Sequence, residues 1–74
     1  MAIYYRFDHE RPEKGSVVHC FTNWQAFISF AQIMKAEDPE FYRMKFWEVE
    51  GQFVEDDEGD AQVRVISAKE IKLK

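Results

Sequence analysis

One amphipathic helix over Asn23–Glu37 constrains the fold of this chain more than any other stretch. Apolar side chains recur there at intervals of three and four residues, the spacing of one helical face: Trp24, Phe27, Ile28, Ala31 and Met34. Thr22 and Gln25 form a capping-box pattern, because each side chain can satisfy a backbone N–H at the helix start. Pro39 ends the helix and leaves Asp38 to cap a short turn that follows.

Phe30 and Ile33 give this helix more apolar surface than one stripe requires. They lie beside the main face and widen the apolar arc to more than half of the circumference. A helix that covers one small sheet needs an arc of about 100° or somewhat more. The excess has two interpretations: the sheet curls around the helix, or Phe30 and Ile33 contact a second chain.

The segments before the helix have strand patterns. Residues 2–8 alternate, which predicts a strand that buries Ile3, Tyr5 and Phe7. The same alternation turns Tyr4 and Arg6 outward. Residues 16–21 form a second apolar run, and the polar loop 9–15 that joins the two favours antiparallel pairing.

Residues 43–55 and 61–73 resemble the two arms of one long β-ribbon, joined by an acidic turn. Folding the chain about this turn places Phe53 opposite Val63 and Trp47 near Ala68. The register slips by one residue near Gly51, so we expect a β-bulge on the Glu50–Gly51 side. The predicted fold is therefore α+β, ordered β-β-α-β-β, with one helix on a mainly antiparallel, twisted four-stranded sheet.

Length and composition limit the function classes. Seventy-four residues make one small domain, 1–74, and its seven Phe, two Trp and three Tyr supply the core. One cysteine cannot form an internal disulfide, so a reducing compartment is expected. A net charge of −4 argues against general nucleic-acid binding. The sequence shows neither a signal peptide nor an apolar run of about 20 residues, so we expect a cytoplasmic protein that does not bind membranes.

Few residues are of the types that carry chemistry. Cys20 with His9 or His19, and with Arg6 nearby, is the one set that suggests a small enzyme or a ligand-binding pocket. The acidic stretch 55–60 lacks the carboxylate spacing of a calcium loop, and no pair of ligands has zinc-finger spacing. We therefore expect no metal and no cofactor.

Recognition by a protein surface is the alternative to chemistry. Tyr4 and Arg6 on the first strand and Trp47 on the ribbon are residue types enriched at protein interfaces, and they join Phe30 and Ile33 as interaction candidates. The favoured interpretation is a small non-enzymatic interaction module whose partner is another protein or a second copy of itself. In size, acidity and aromatic content the chain is similar to small proteins of prokaryotes and phages.

Overall fold

The computed structural model describes residues 2–57 and 60–72, without the side chains of Tyr42 and Asp57. Residues 58 and 59 of the predicted acidic turn lie outside that part. The elements in chain order are β1 (Ala2–Asp8), β2 (Val17–Phe21), α1 (Trp24–Glu37), a 3-10 turn (Phe41–Arg43), β3 (Lys45–Asp57) and β4 (Asp60–Ile71). The predicted α+β fold, ordered β-β-α-β-β with an antiparallel four-stranded sheet, is confirmed. None of the described helices is both long and apolar enough to span a bilayer.

The four strands form one sheet that closes on itself. β4 lies between β2 and β3, β3 pairs with β1, and every pairing is antiparallel. β1 and β2, predicted to pair through a loop, meet at one pair of partner residues, Tyr5 and Phe21. That contact completes the ring, so the sheet has an inner face as well as an outer face.

Two separate clusters of buried side chains follow from the closed sheet. The sheet cluster lies on one face of the strands and consists of Tyr4, Cys20, Trp47, Val49, Ala61, Val63 and Val65. The helix cluster forms where α1 packs on the other face and consists of Phe27, Ala31, Phe41 and Phe46. Neighbours along a strand point to opposite faces, which is why Phe46 belongs to one cluster and Trp47 to the other.

The inward and outward assignment of β1 was partly wrong. Tyr4, predicted to face outward, is 7% exposed within the sheet cluster, whereas Ile3, predicted to be buried, is exposed. Tyr5 and Phe7 do pack on the helix cluster as predicted. The alternation assumed one face in water, but the closed sheet covers the face of Tyr4, and α1 covers the other face at Tyr5 and Phe7 without reaching Ile3.

The β3–β4 register differs from the predicted one between Phe46 and Glu50, before Gly51 in the chain. Phe53 pairs with Val63 as predicted, and a register shift does occur between Glu50 and Gly51. The extra residue, however, is Ile66 on β4 rather than a residue of β3. A Cβ atom on Gly51 would lie 2.3 Å from Val63 Cγ1, so glycine here marks a close approach of the two strands.

The second register shift was not predicted. It lies between Phe53 and Glu55, and it leaves Val54 as the extra residue on β3. Because the extra residues lie in opposite strands, the second shift cancels the first. Residues Glu55 to Asp57 therefore pair with β4 in the same register as Phe46 to Glu50. The ribbon therefore twists without losing its alignment.

The helix begins one residue later than the predicted capping box implies. Asn23, not Thr22, is the N-cap, and its Oδ1 accepts a hydrogen bond from the backbone N–H of Ala26 at 3.1 Å. At the other end, the carboxylate of Asp38 accepts a hydrogen bond from the N–H of Glu40 at 3.0 Å. Asp38 thus caps the turn that leads from the helix to Phe41, but the 3-10 turn itself has Glu40 as its N-cap, with no side-chain hydrogen bond there, so the predicted cap is only partly right.

The loop between β1 and β2 fastens to β4 and extends the sheet. Gly15 donates its N–H to the carbonyl of Val65 at 2.8 Å, and Val65 donates its own to the carbonyl of Ser16 at 2.9 Å. The guanidinium of Arg11 lies 5.1 Å from the ring centroid of Trp47. The loop therefore covers one end of the sheet cluster.

Candidate functional site

One flank of α1 exposes large apolar side chains. Phe30 is 42% exposed and Ile33 is 55% exposed, one helical turn apart. Phe30 also touches the interior, since its ring centroid lies 5.7 Å from that of Phe7 and 5.4 Å from that of Phe21. The sheet closes beneath the helix instead of curling around it, and it leaves this flank uncovered.

A cleft continues the exposed flank of α1 toward the 3-10 turn. It has a volume of about 410 Å³, and Phe7, Phe30, Met34 and Phe41 form part of its apolar lining. Its rim carries groups of both charge signs, including Asp38, Glu40 and Arg43. We call this the helix-flank cleft. Since it contains Phe30, the apolar surface of the helix and that of the cleft are continuous.

A second cleft lies where the first residues of β3 meet the last residues of β4. It has a volume of about 480 Å³ and is lined by basic side chains from four different places in the chain: Lys35, Arg43, Lys45 and Lys72. One carboxylate, Glu70, also lines it. We call this the basic cleft.

Two of the predicted interaction residues are not at the surface. Trp47 is 3% exposed, and like Tyr4 it belongs to the sheet cluster. Its indole N–H donates to the backbone carbonyl of Asp8 at 3.0 Å. Tyr4 and Trp47 therefore contribute to packing inside the chain and form no part of the exposed flank.

Arg6, the third candidate on the strands, is half-buried and is already engaged. Its Nε lies 3.2 Å from Asp8 Oδ2, and one terminal nitrogen donates to the carbonyl of His19 at 2.8 Å. The second bond runs from β1 to β2, where the two strands share few backbone contacts. Arg6 thus helps to close the sheet.

The structure does not bring Cys20 together with a histidine in a pocket. Cys20 is buried in the sheet cluster, whereas His19 is exposed and His9 lines the helix-flank cleft. Burial raises the pKa of the Cys20 thiol from 9.0 to about 11. The positive charge of Arg6 lowers this pKa in part, and the negative charge of Asp60 raises it slightly. A thiol with that pKa stays protonated near neutral pH and is a weak nucleophile. Within 2–57 and 60–72, no group of three or more His, Cys, Asp or Glu side chains is placed to hold a metal ion.

The basic cleft is the feature that sequence reasoning missed. Lys35, Lys45 and Lys72 are far apart in the chain and form no charge run. The signal lies in the register, because Phe46 pairs with Ile71 and so brings the neighbouring Lys45 and Lys72 to one end of the ribbon.

Comparisons with protein-family models, with curated proteins and with solved structures gave no match. The surface is therefore interpreted from its own geometry. Its main features are the uncovered flank of α1, the helix-flank cleft and the basic cleft.

Proposed function

We propose that this protein is a non-enzymatic interaction module that binds a second copy of itself through the exposed flank of α1. The observation that carries the proposal is the exposure of Phe30 and Ile33, two large apolar side chains side by side on one helix. Burying such side chains against a partner removes apolar surface from water, which is the main source of free energy in protein association.

The charge distribution on α1 favours a second copy as the partner. No charged residue occurs from Trp24 to Met34, and the polar positions of that stretch are occupied by Gln25, Ser29 and Gln32. In a two-fold interface the same patch lies on both sides, so a charge close to the axis would face its own copy. An uncharged flank avoids that repulsion even though the whole chain carries a net charge of −4.

The helix-flank cleft supplies the depth that a flat helix surface lacks. Phe7, Phe30, Met34 and Phe41 give it apolar lining, below a rim that carries Asp38, Glu40 and Arg43. Ile33 from the partner has a side chain of suitable size and polarity to enter it. Aromatic and aliphatic groups seated in such pockets give most of the affinity of an interface.

Sedimentation velocity over a range of concentrations tests the proposal. We expect the wild-type chain to form a dimer, and Phe30→Ser and Ile33→Ser each to raise the dissociation constant about tenfold or more. Gln32→Ser is the matched control, because it changes an exposed polar residue of the same helix and should leave the dimer intact.

Circular dichroism checks that the variants remain folded, and Ile33→Ser is the decisive one, because Ile33 is more exposed and Phe30 also contacts Phe7 and Phe21. A wild-type chain that is monomeric up to about 1 mM would overturn the proposal, as that limit corresponds to about −4 kcal/mol of binding free energy. A dimer that Phe30→Ser and Ile33→Ser do not weaken would overturn it as well.

A further inference from the structure

The basic cleft is built by four elements that converge on one end of the molecule. Lys35 comes from the last turn of α1, Arg43 from the 3-10 turn, and Lys45 from the first residue of β3. Lys72 follows directly after β4. These four cations and one carboxylate, Glu70, line the cleft, so positive charge is in local excess there although the whole chain has a net charge of −4.

Three of these cations have no carboxylate partner among the residues that the structure describes. Within 2–57 and 60–72, no carboxylate lies within 4.0 Å of the amino group of Lys35, Lys45 or Lys72. The amino group of Lys35 instead lies 5.9 Å from the ring centroid of Phe46. Among the described residues no carboxylate holds the amino groups of Lys45 and Lys72 in an ion pair, which leaves both for an anion from outside.

The floor of the basic cleft is apolar. Phe41 and Phe46 are buried members of the helix cluster, and Met44 and Ile71 pack against them while lining the cleft. A small inorganic anion would meet the cations but would leave this floor facing water. An uncharged apolar compound would cover the floor but would leave the cations without a partner.

We infer that the basic cleft binds an amphipathic organic anion, with an aromatic or branched apolar body and one carboxylate, sulfonate or phosphate group. The apolar body covers the floor of Phe41, Phe46 and Ile71, and the anionic group meets Lys45 and Lys72 at the rim. The cleft volume of about 480 Å³ accommodates a body of two or three rings, within the roughly 300–1,000 Å³ of small-molecule sites.

The basic cleft shares Phe41, Arg43 and Met44 with the helix-flank cleft, but its lysines do not line that cleft. Neither Phe30 nor Ile33 lines the basic cleft, which lies beyond the C-terminal end of α1. A nucleic-acid strand fits the site less well, because a polyanion would extend past four cations over a surface that is acidic as a whole. The inference therefore rests on Lys45 and Lys72, whereas the proposed dimer rests on Phe30 and Ile33.

A pair of fluorescent dyes tests the inference on the full chain. Anilinonaphthalene sulfonate has an apolar body with one sulfonate, and phenylnaphthylamine has the same rings without the charge. We expect saturable binding of the sulfonate dye that weakens as salt is added, and binding of the neutral dye at least about tenfold weaker.

Lysine variants locate the dye. Lys45→Gln and Lys72→Gln should each weaken binding of the sulfonate dye about three- to fivefold, and the double variant about tenfold or more. Lys14→Gln, which removes an exposed charge from the loop between β1 and β2, is the matched control and should have no effect. Circular dichroism of each variant should match the wild type, since Lys45 and Lys72 are both exposed.

Three results would overturn the inference: no saturable binding of the sulfonate dye, equal affinity for both dyes, or binding that Lys45→Gln and Lys72→Gln leave unchanged. Ile33→Ser shows whether dye binding and dimer formation use different parts of the surface. If that variant dissociates the dimer and keeps its affinity for the sulfonate dye, the two proposals stand independently. If Ile33→Ser abolishes dye binding and the lysine variants do not, the dye occupies the exposed flank of α1 and the basic cleft is not its site.

Discussion

Phe7 of β1 stacks on Phe27 of α1, with ring centroids 4.3 Å apart and ring planes inclined by 15°. Three further phenylalanines meet the Phe7 ring edge-on: Phe21 at 5.6 Å, Phe41 at 5.2 Å and Phe46 at 5.0 Å. Such ring pairs add about 0.5–1.5 kcal/mol each beyond the burial of their surface. With one cysteine and hence no internal disulfide, the chain relies on these rings to hold α1 to the sheet.

Phe27→Ala is expected to lower the free energy of unfolding by about 3–5 kcal/mol, because Phe27 is fully buried at the centre of the rings. Small domains of this size are usually stable by about 3–5 kcal/mol, so the variant should be largely unfolded at 25 °C. Urea denaturation followed by circular dichroism measures the loss. Phe27→Leu, which leaves a smaller cavity, should stay folded with an intermediate stability. Gln32→Ala on the exposed side of α1 is the control, and wild-type stability of Phe27→Ala would contradict the packing described here.

Asn23→Ala is expected to cost about 0.5–2 kcal/mol, because it removes the acceptor for the N–H of Ala26 at the start of α1. Thr22→Ala is the matched control. Thr22 is exposed and is not the N-cap, so its loss should change stability by less than about 0.5 kcal/mol. Thermal unfolding of both variants decides between the two caps. If Thr22→Ala lowers the stability more than Asn23→Ala does, Thr22 is the N-cap, as the sequence pattern predicts, and Asn23 is not.

The helix was predictable because its signal is local. The spacing of Phe27, Ala31 and their neighbours identifies the buried face, and both residues are buried. The excess apolar arc singled out Phe30 and Ile33 but left open whether the sheet covers them, and both are exposed. The orientation of Tyr4 was not predictable in the same way. Alternation shows that the two faces of a strand differ, but not that the sheet closes and buries both.

The basic cleft was not predictable because it depends on which strand carries the inserted residue near Gly51. The ribbon pattern placed Trp47 near Ala68, whereas Val49 pairs with Ala68. Apolar residues are dense on both arms, so several alignments pair them almost equally well. The true alignment follows from the close approach at Gly51 and the extra residue Ile66, and the position of the lysines at the end of the ribbon follows from that alignment.

Gly51→Ala is expected to cost more than Gly15→Ala, for a different physical reason. A Cβ on Gly51 would lie 2.6 Å from the backbone oxygen of Arg64, so β3 and β4 would have to separate, at about 1–3 kcal/mol or more. Gly15 has open space around its Cβ position but a φ of +90°, which costs another residue about 1–2 kcal/mol.

Asparagine separates these two causes, because it tolerates a positive φ better than alanine does but is larger. Gly15→Asn should be more stable than Gly15→Ala in urea denaturation. Gly51→Asn should be less stable than Gly51→Ala. The reverse order at position 51 would show that backbone conformation, and not contact with β4, selects the glycine there.

The buried thiol of Cys20 makes stability depend on pH in the alkaline range. Burial raises its pKa from 9.0 to about 11, so between these values the folded chain keeps a proton that the unfolded chain has released. Stability rises with pH where the unfolded state binds more protons, and here the folded state binds more, so stability should fall as pH increases from 9.0 to about 11. Well below pH 9.0 the thiol is protonated in both states and adds no dependence on pH.

Cys20→Ala isolates this effect from the other groups that titrate at alkaline pH, tyrosines and lysines among them. The free energy of unfolding, measured by urea denaturation at several pH values, should decline more steeply for the wild type than for Cys20→Ala between pH 9.0 and about 11. The two curves should run parallel below that range, offset by the small cavity that alanine leaves. Parallel curves throughout would mean that the thiol ionises in the folded chain as readily as in the unfolded chain. That result would contradict the burial of Cys20 in the sheet cluster.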